Sequence, residues 1–209
     1  MIDKICEFIV GKMRNSMPEI DDERADVIKY GVQLIIGEIP KTLILFVLAF
    51  LLNIGWYMIF AYIALVAYKT ASGGLHLKSH LGCFIGSCIY YYGNIFLSKY
   101  IILDGISKYI LIILAFIFGV IMISLYAPAD TENVPILSKK ERKTKKTLSY
   151  IFLTITLLVS IFIQDRVLSN ILIIGTIIQS IFISRLAYMI TKNRYGFEVY
   201  SEELNVTNS

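Results

Sequence analysis

The side chains able to do acid–base and nucleophilic chemistry converge on one stretch, Gly73-Gly74-Leu75-His76-Leu77-Lys78-Ser79-His80-Leu81-Gly82-Cys83. It carries both histidines of the 209-residue chain and one of its three cysteines. Histidine-dependent chemistry therefore has to begin here. A paired glycine permits a backbone break, and a base then precedes a thiol in a half-polar segment that runs straight into an apolar one. This is the layout of a nucleophile set at a membrane surface. A thiolate is the reactive form of cysteine, and an adjacent imidazole and a helix amino end both favour it. Cys83 stands near the amino end of an apolar run, and a histidine can supply the first factor.

The spacing constrains which histidine. On one straight helix His76 and Cys83 share a face, but seven residues at about 1.5 Å each hold their Cα atoms ~10.5 Å apart. An imidazole–thiol hydrogen bond needs about 3 Å. His76 can serve Cys83 only if the backbone turns between them, at Gly82 or just after Gly74. His80, at i, i+3 from Cys83, is a helix neighbour without any bend, so spacing alone slightly prefers it. Two other readings stay open. A free cysteine most often acts as a small buried hydrophobe, which is also the reading for Cys6 and Cys88. Alternatively His76, His80 and Cys83, at i, i+4, i+7, could hold zinc with an open position, although the glutamate of the helical His-Glu-x-x-His motif is missing.

The elements that must position these residues are set by composition. Hydrophobic residues make up 56% of the chain and charged residues 17%, too apolar for a soluble domain of this length. The expected fold is all-α, a polytopic membrane helical bundle of about six transmembrane helices with an amino-terminal amphipathic interfacial helix. Residues 1–17 place Ile2, Ile5, Phe8, Ile9 and Met13 at helical spacing among charges, as in a helix lying in the interface plane. They lack the compact apolar core and small-residue cleavage site of a signal peptide. The bundle is expected over 28–190 and a loose polar tail over 191–209.

Within the bundle, Asn53-Ile54-Gly55 marks a tight turn between spans 28–52 and 55–70. Further spans are expected at 81–98, 109–126, 148–163 and 167–190, with residues 129–147 as one long polar insertion. Glu38 and Lys41, at i, i+3, can neutralise each other inside the bundle. Tyr90, Tyr91 and Tyr92 read as bundle packing or an interfacial belt.

With six spans, one side of the bundle carries sixteen Lys and Arg and the other three, with Lys41 inside a span left out. The richer side, with both termini, is then cytoplasmic. The loops at 69–80 and 127–147 fall together on it. This matters more than the net charge of +4, because the basic run Lys139, Lys140, Arg142, Lys143, Lys145 and Lys146 can act beside the thiol. Such a run suits phospholipid contacts or an acidic peptide segment. It is too short, and lacks the interleaved aromatics, for nucleic acid. The three cysteines have no disulfide-like spacing and fit a reduced compartment.

Gly73-Gly74-x-His76, then six residues and Cys83, followed by Tyr126-Ala127-Pro128, Asn133-x-Pro135 and a lysine-rich run, resembles the accessory gene regulator protein B (AgrB) family over nearly the whole chain. The resemblance implies a cysteine endopeptidase of quorum sensing that needs no cofactor and no metal. It would cut the carboxyl-terminal part from a small amphipathic peptide precursor and help close the remainder into a thiolactone or lactone. By matched positions Cys83 is the nucleophile and His76 its base, in place of His80. The family often has an arginine where this chain has Lys69; the charge survives but not the bidentate grip on a carboxylate. The precursor's acidic tail would meet Lys139, Lys140, Lys143, Lys145 and Lys146. Ser72, Ser79 and the amides near Gly82 are candidates for orienting His76 or stabilising the oxyanion. The resemblance also allows a homodimer, for which no small-xxx-small face argues. A zinc-dependent membrane hydrolase and a non-enzymatic peptide exporter are the competing functions.

Overall fold

A computed structural model describes residues 2–16, 22–75, 80–131, 135–136 and 138–199. The chain forms two compact units, Met1–Asn53 and Ile54–Ser209. In the first, α1 (Ile2–Ser16) packs against α2 (Asp22–Leu51). Cys6 and Val10, one turn apart, are buried on one face of α1 while Phe8 is exposed, which is the amphipathic pattern expected of this segment. Cys6 is a packing residue, as expected. Helix α2 starts six residues before the expected boundary at 28, since Asp22 and Glu23 match the positive amino end of its dipole. Pro40 is carried inside it, and the side chain of Glu38 lies outside the described residues. The turn expected at 53–55 is present: Asn53 adopts a φ of 56°, a left-handed conformation asparagine tolerates, and its amide bonds to Phe50 O at 3.1 Å.

The second unit contains α3 (Gly55–Ser72), α4 (His80–Cys88), a π-helical stretch (Ile89–Gly93), α5 (Asn94–Tyr100), α6 (Ile106–Tyr126), α7 (Lys139–Phe162), α8 (Arg166–Phe182) and α9 (Arg185–Ile190). Helix α8 is its axis, touching α3, α5, α6 and α7. Residues 169–176 of α8 are buried all round, and hydrogen bonds rather than apolar burial alone fix its neighbours. Asn94 Nδ2 donates to Ile171 O at 3.0 Å, and Asn170 Nδ2 donates to Ser98 O and Ile101 O at 3.1 and 2.8 Å, stitching α5 to α8. Gly175 gives α3 room, because a Cβ there would run into Leu65. Tyr90 and Tyr91 are buried in packed ring contacts with Tyr62 and Phe182, so both are bundle packing.

Helices α6 and α7 are long and apolar enough to cross a bilayer by length and composition; α8 is a shorter apolar helix. Along α6 the exposed side chains include Ile113, Ile117, Ile121 and Leu125, the surface a lipid-facing helix presents.

Several expected boundaries move. The basic run is no loop: α7 begins at Lys139, with Ser138 Oγ accepting from the Glu141 amide and Glu141 pairing with Lys145 at 3.2 Å. A Ser-x-x-Glu cap and an i, i+4 ion pair make helix out of residues that hydropathy alone assigns to solvent. The span expected over 167–190 breaks after Phe182, where Ile183 ends α8 and Ser184 caps α9 by accepting from the Ala187 amide. The stretch expected over 81–98 runs to Tyr100, with the π-helical turns inside it. Nor is the tail loose as far as Val199. Tyr195 is buried, stacks on Tyr188 at 4.0 Å and donates to Ile183 O at 2.9 Å.

Candidate active site

Helix α3 stops where glycine lets the chain leave it. Gly73 has φ 77° and Gly74 φ 152°, both costly for any residue with a Cβ. At Gly73 space forbids one as well, because a Cβ would overlap the carbonyl of Ala129. The approach is that close because the two strands of backbone pair. Gly74 N donates to Ala129 O at 2.9 Å, and Ala129 N donates to Ser72 O at 2.8 Å, forming one parallel bridge. The loops expected to share a face thus meet through their backbones.

Four side chains tighten this junction. Gln179 of α8 is 1% exposed, and its Nε2 donates to Ser72 Oγ at 2.8 Å and to Gly73 O at 2.7 Å. The Tyr188 hydroxyl lies between Gly74 O at 3.3 Å and Asp130 O at 3.1 Å. Asp130 is buried, and its Oδ2 accepts from Arg142 Nη1 and from the Ile136 amide, both at 2.9 Å. Arg142 Nη2 also donates to Pro128 O at 3.3 Å. Residues 127–131 therefore form a strap, tied on one side to the glycine break and on the other to α7. Burial pushes the Tyr195 hydroxyl above its ordinary pKa, with the neighbouring Tyr126 adding to the shift.

The chain resumes as helix at His80, and Cys83 lies in the first turn of α4, half-buried and unoxidised. Helix passes through Gly82, so the chain does not turn there; the glycine break lies ahead of His76, at Gly73 and Gly74. Residues 76–79, with His76 and Ser79, lie outside the described residues, as does the side chain of His80. The first-turn amides of α4, at Gly82 and Cys83, point out of its amino end. Ser72 is fully buried and holds Gln179, which makes it part of the junction. Cys88 is half-buried further along α4. Among the described residues no group of three or more His, Cys, Asp or Glu could hold a metal.

The lysines separate into distinct environments. Lys69 Nζ sits over the rings of Tyr90 and Tyr91, at 5.1 and 5.4 Å from their centroids, a cation–π seat. Lys139 and Lys140 are exposed on the first turn of α7, and Lys145 pairs with Glu141. Lys143 and Lys146 line a cleft of about 480 Å³ with Arg142 and Arg185, floored by Tyr126 and Tyr195. Pro128 of the strap forms part of its wall. Asp130, Gln179 and Tyr188 carry no motif that marks them as site residues in the sequence, while Arg142 belongs to the basic run expected to act beside the thiol. Gln179 left the clearest trace, as one of two amides, with Asn170, in the apolar run of α8.

The chain matches the Accessory gene regulator B family over residues 6–183. It is 31% identical over 168 residues to an AgrB-like protein of Clostridium perfringens, covering 77% of this chain and 76% of that one. It is also 26% identical over 182 residues to an AgrB-like protein of Listeria welshimeri, covering 86% and 87%. An AgrB-like protein of Listeria monocytogenes is 25% identical with the same coverage. No solved structure matches. A match across most of the chain, joined to the glycine break ahead of the thiol, makes this protein a member of the Accessory gene regulator B family, a membrane protein of the accessory gene regulator quorum-sensing system.

Proposed function

We propose that the protein is a membrane-embedded cysteine endopeptidase of six spans, with both termini cytoplasmic, that cuts a small autoinducing-peptide precursor and promotes closure of its amino-terminal part into a ring. The observation that carries the reading is the glycine break: α3 ends at Ser72 and α4 begins at His80, with Cys83 in its first turn. A direct contact between base and nucleophile requires that no continuous helix run from His76 to Cys83, which would hold them ~10.5 Å apart.

In this reaction His76 takes the Cys83 proton and the sulfur attacks the scissile carbonyl. The peptide C–N bond breaks, the proton passes to the leaving amine, and the amino-terminal part stays as a thioester on Cys83. A thiol or hydroxyl within the bound peptide then attacks that carbonyl, forming the ring bond and releasing the Cys83 thiolate. Exchange from thioester to thiolactone conserves the bond type, so it proceeds with little change in bond energy. Hydrolysis would discard the acyl group. A site at the membrane face limits water, and the tethered nucleophile acts at high effective concentration. The acidic tail of the precursor is met by Lys139, Lys140, Lys143, Lys145 and Lys146, with Lys69 a weaker candidate because its ammonium already has two ring faces.

Co-expression with the small open reading frame beside the gene, followed by mass measurement, tests the proposal. The expected product is one water lighter than the linear amino-terminal fragment. Loss of that product to a chelator would instead support a zinc hydrolase built on His76, His80 and Cys83. Unprocessed precursor appearing outside the cell, unaffected by Cys83→Ser, would support an exporter.

A further inference from the structure

We infer that the cleft between the carboxyl end of α6, the first turns of α7 and the 185–198 segment binds the phosphate of an anionic phospholipid headgroup. Its lining holds four cations, Arg142, Lys143, Lys146 and Arg185, against one carboxylate, Glu198. Glu198 stands 3.8 Å from Arg185, and the buried Asp130 neutralises Arg142 from beneath. Among the described residues no carboxylate pairs with Lys143 or Lys146.

Two of the four cations, Arg142 and Lys146, are held rather than trailing in solvent. The Arg142 guanidinium is fixed by Asp130, by Pro128 O and by the face of Phe197, 4.8 Å from its centroid. Lys146 Nζ donates to Ser124 O at 2.6 Å, which uses one of its three N–H bonds and leaves two for an anion. A volume of about 480 Å³ is of the order of a small ligand site and suits a phosphoglycerol group.

What selects an amphiphile over a free anion is the surface that leads away from the cleft. Leu125 on its rim is 63% exposed, and the exposed Ile121 and Ile117 follow it at one-turn intervals along α6. On α7, Lys143 is followed at the same interval by Thr147 and then by the exposed Ile151 and Ile155. Residues four apart share a helix face, so a cationic end passes into two apolar stripes on α6 and α7, each long and apolar enough to span a bilayer. Acyl chains lying on the stripes bring the phosphate to the cations, where basic residues at a membrane surface are attracted to anionic lipid. Lys139, Lys140 and Lys145 are outside the lining, so a bound lipid occupies only two of the five lysines proposed to meet the precursor's tail. The site stands whether or not the chain is a peptidase.

The test is lipid retention by the full-length protein, purified from bilayers of phosphatidylcholine with phosphatidylglycerol and measured by native mass spectrometry. Phosphatidylglycerol should be retained over phosphatidylcholine, and Lys143→Gln with Lys146→Gln should weaken that retention about tenfold. Lys139→Gln with Lys140→Gln, the same charge change outside the cleft, should leave it within twofold. If the double variant at 143 and 146 fails to fold, Arg185→Gln takes its place with the same expectation. Equal loss in both double variants would overturn the proposal in favour of diffuse surface attraction. Equal retention of the two lipids would overturn it outright. Displacement of the lipid by inorganic phosphate at millimolar concentration would identify a free-anion site, and displacement by a synthetic acidic peptide a peptide subsite; either would overturn it.

Discussion

The amide of Gly74 donates to the carbonyl of Ala129 at 2.9 Å, and that bond links the segment leading to the histidines with the strap that walls the basic cleft. Because Gly73 has neither room for a Cβ nor a φ that one tolerates, Gly73→Ala should cost ~2 kcal/mol or more from the backbone alone. The expected result is a lowered midpoint of thermal unfolding in detergent. Gly11→Ala is the contrast: nothing lies within 4 Å of the added carbon, and it should be neutral or stabilise α1 by up to ~1 kcal/mol. Equal behaviour of the two would show that the junction is not the constraint.

Gln179 holds Ser72 and Gly73 by two hydrogen bonds and is a positioning residue. Losing both by Gln179→Leu, at ~1 kcal/mol each, should lower kcat for precursor cleavage roughly 10- to 30-fold with KM changed less than twofold. A merely structural role would show instead as reduced folded protein with normal turnover per folded molecule.

Cys83→Ser and His76→Ala should each abolish precursor cleavage, while Cys88→Ser and His80→Ala retain most of it. Immunoblotting of a tagged precursor reads this directly. Full activity in His76→Ala and none in His80→Ala would return the base to the histidine that simple helix spacing prefers.

Arg142→Ala should be markedly more destabilising than Lys140→Ala. It strips the buried Asp130 of its ion pair, and breaking such a pair typically costs about 3–5 kcal/mol. Solvent reaches the guanidinium, so ~2–3 kcal/mol is the expected range, read as a shift of the unfolding midpoint in detergent.

Tyr195 ionises in the folded protein above its usual range because it is buried. The unfolded chain releases that proton near pH 10, so the stability linked to this group is fully present below pH 10 and is lost as pH rises toward the folded value. Tyr195→Phe should lose the bond to Ile183 O and, with it, this alkaline component. Spectrophotometric titration of tyrosinate in the two proteins checks both.

Much of the architecture is decided locally and was legible. The period of apolar residues in 1–17, the Asn53-Ile54-Gly55 turn and the Gly73-Gly74 break are each specified by side chains acting on their own backbone. Residues 139–147 were misjudged because hydropathy assigns a lysine run to solvent, whereas Ser138 and Glu141 cap a helix there. Their spacing was visible in the sequence, but its meaning depended on the helix that followed.

The sequence by itself determined the chemistry on offer and the point where the backbone must break, since residue type and glycine geometry need no partner. Only the tertiary structure decided what secures that break. Gln179 lies 107 residues from Ser72, and Tyr188 lies 114 from Gly74. No local pattern encodes such a pairing, because a buried hydrogen bond exists only once packing has brought donor and acceptor together and removed the water that would otherwise satisfy them.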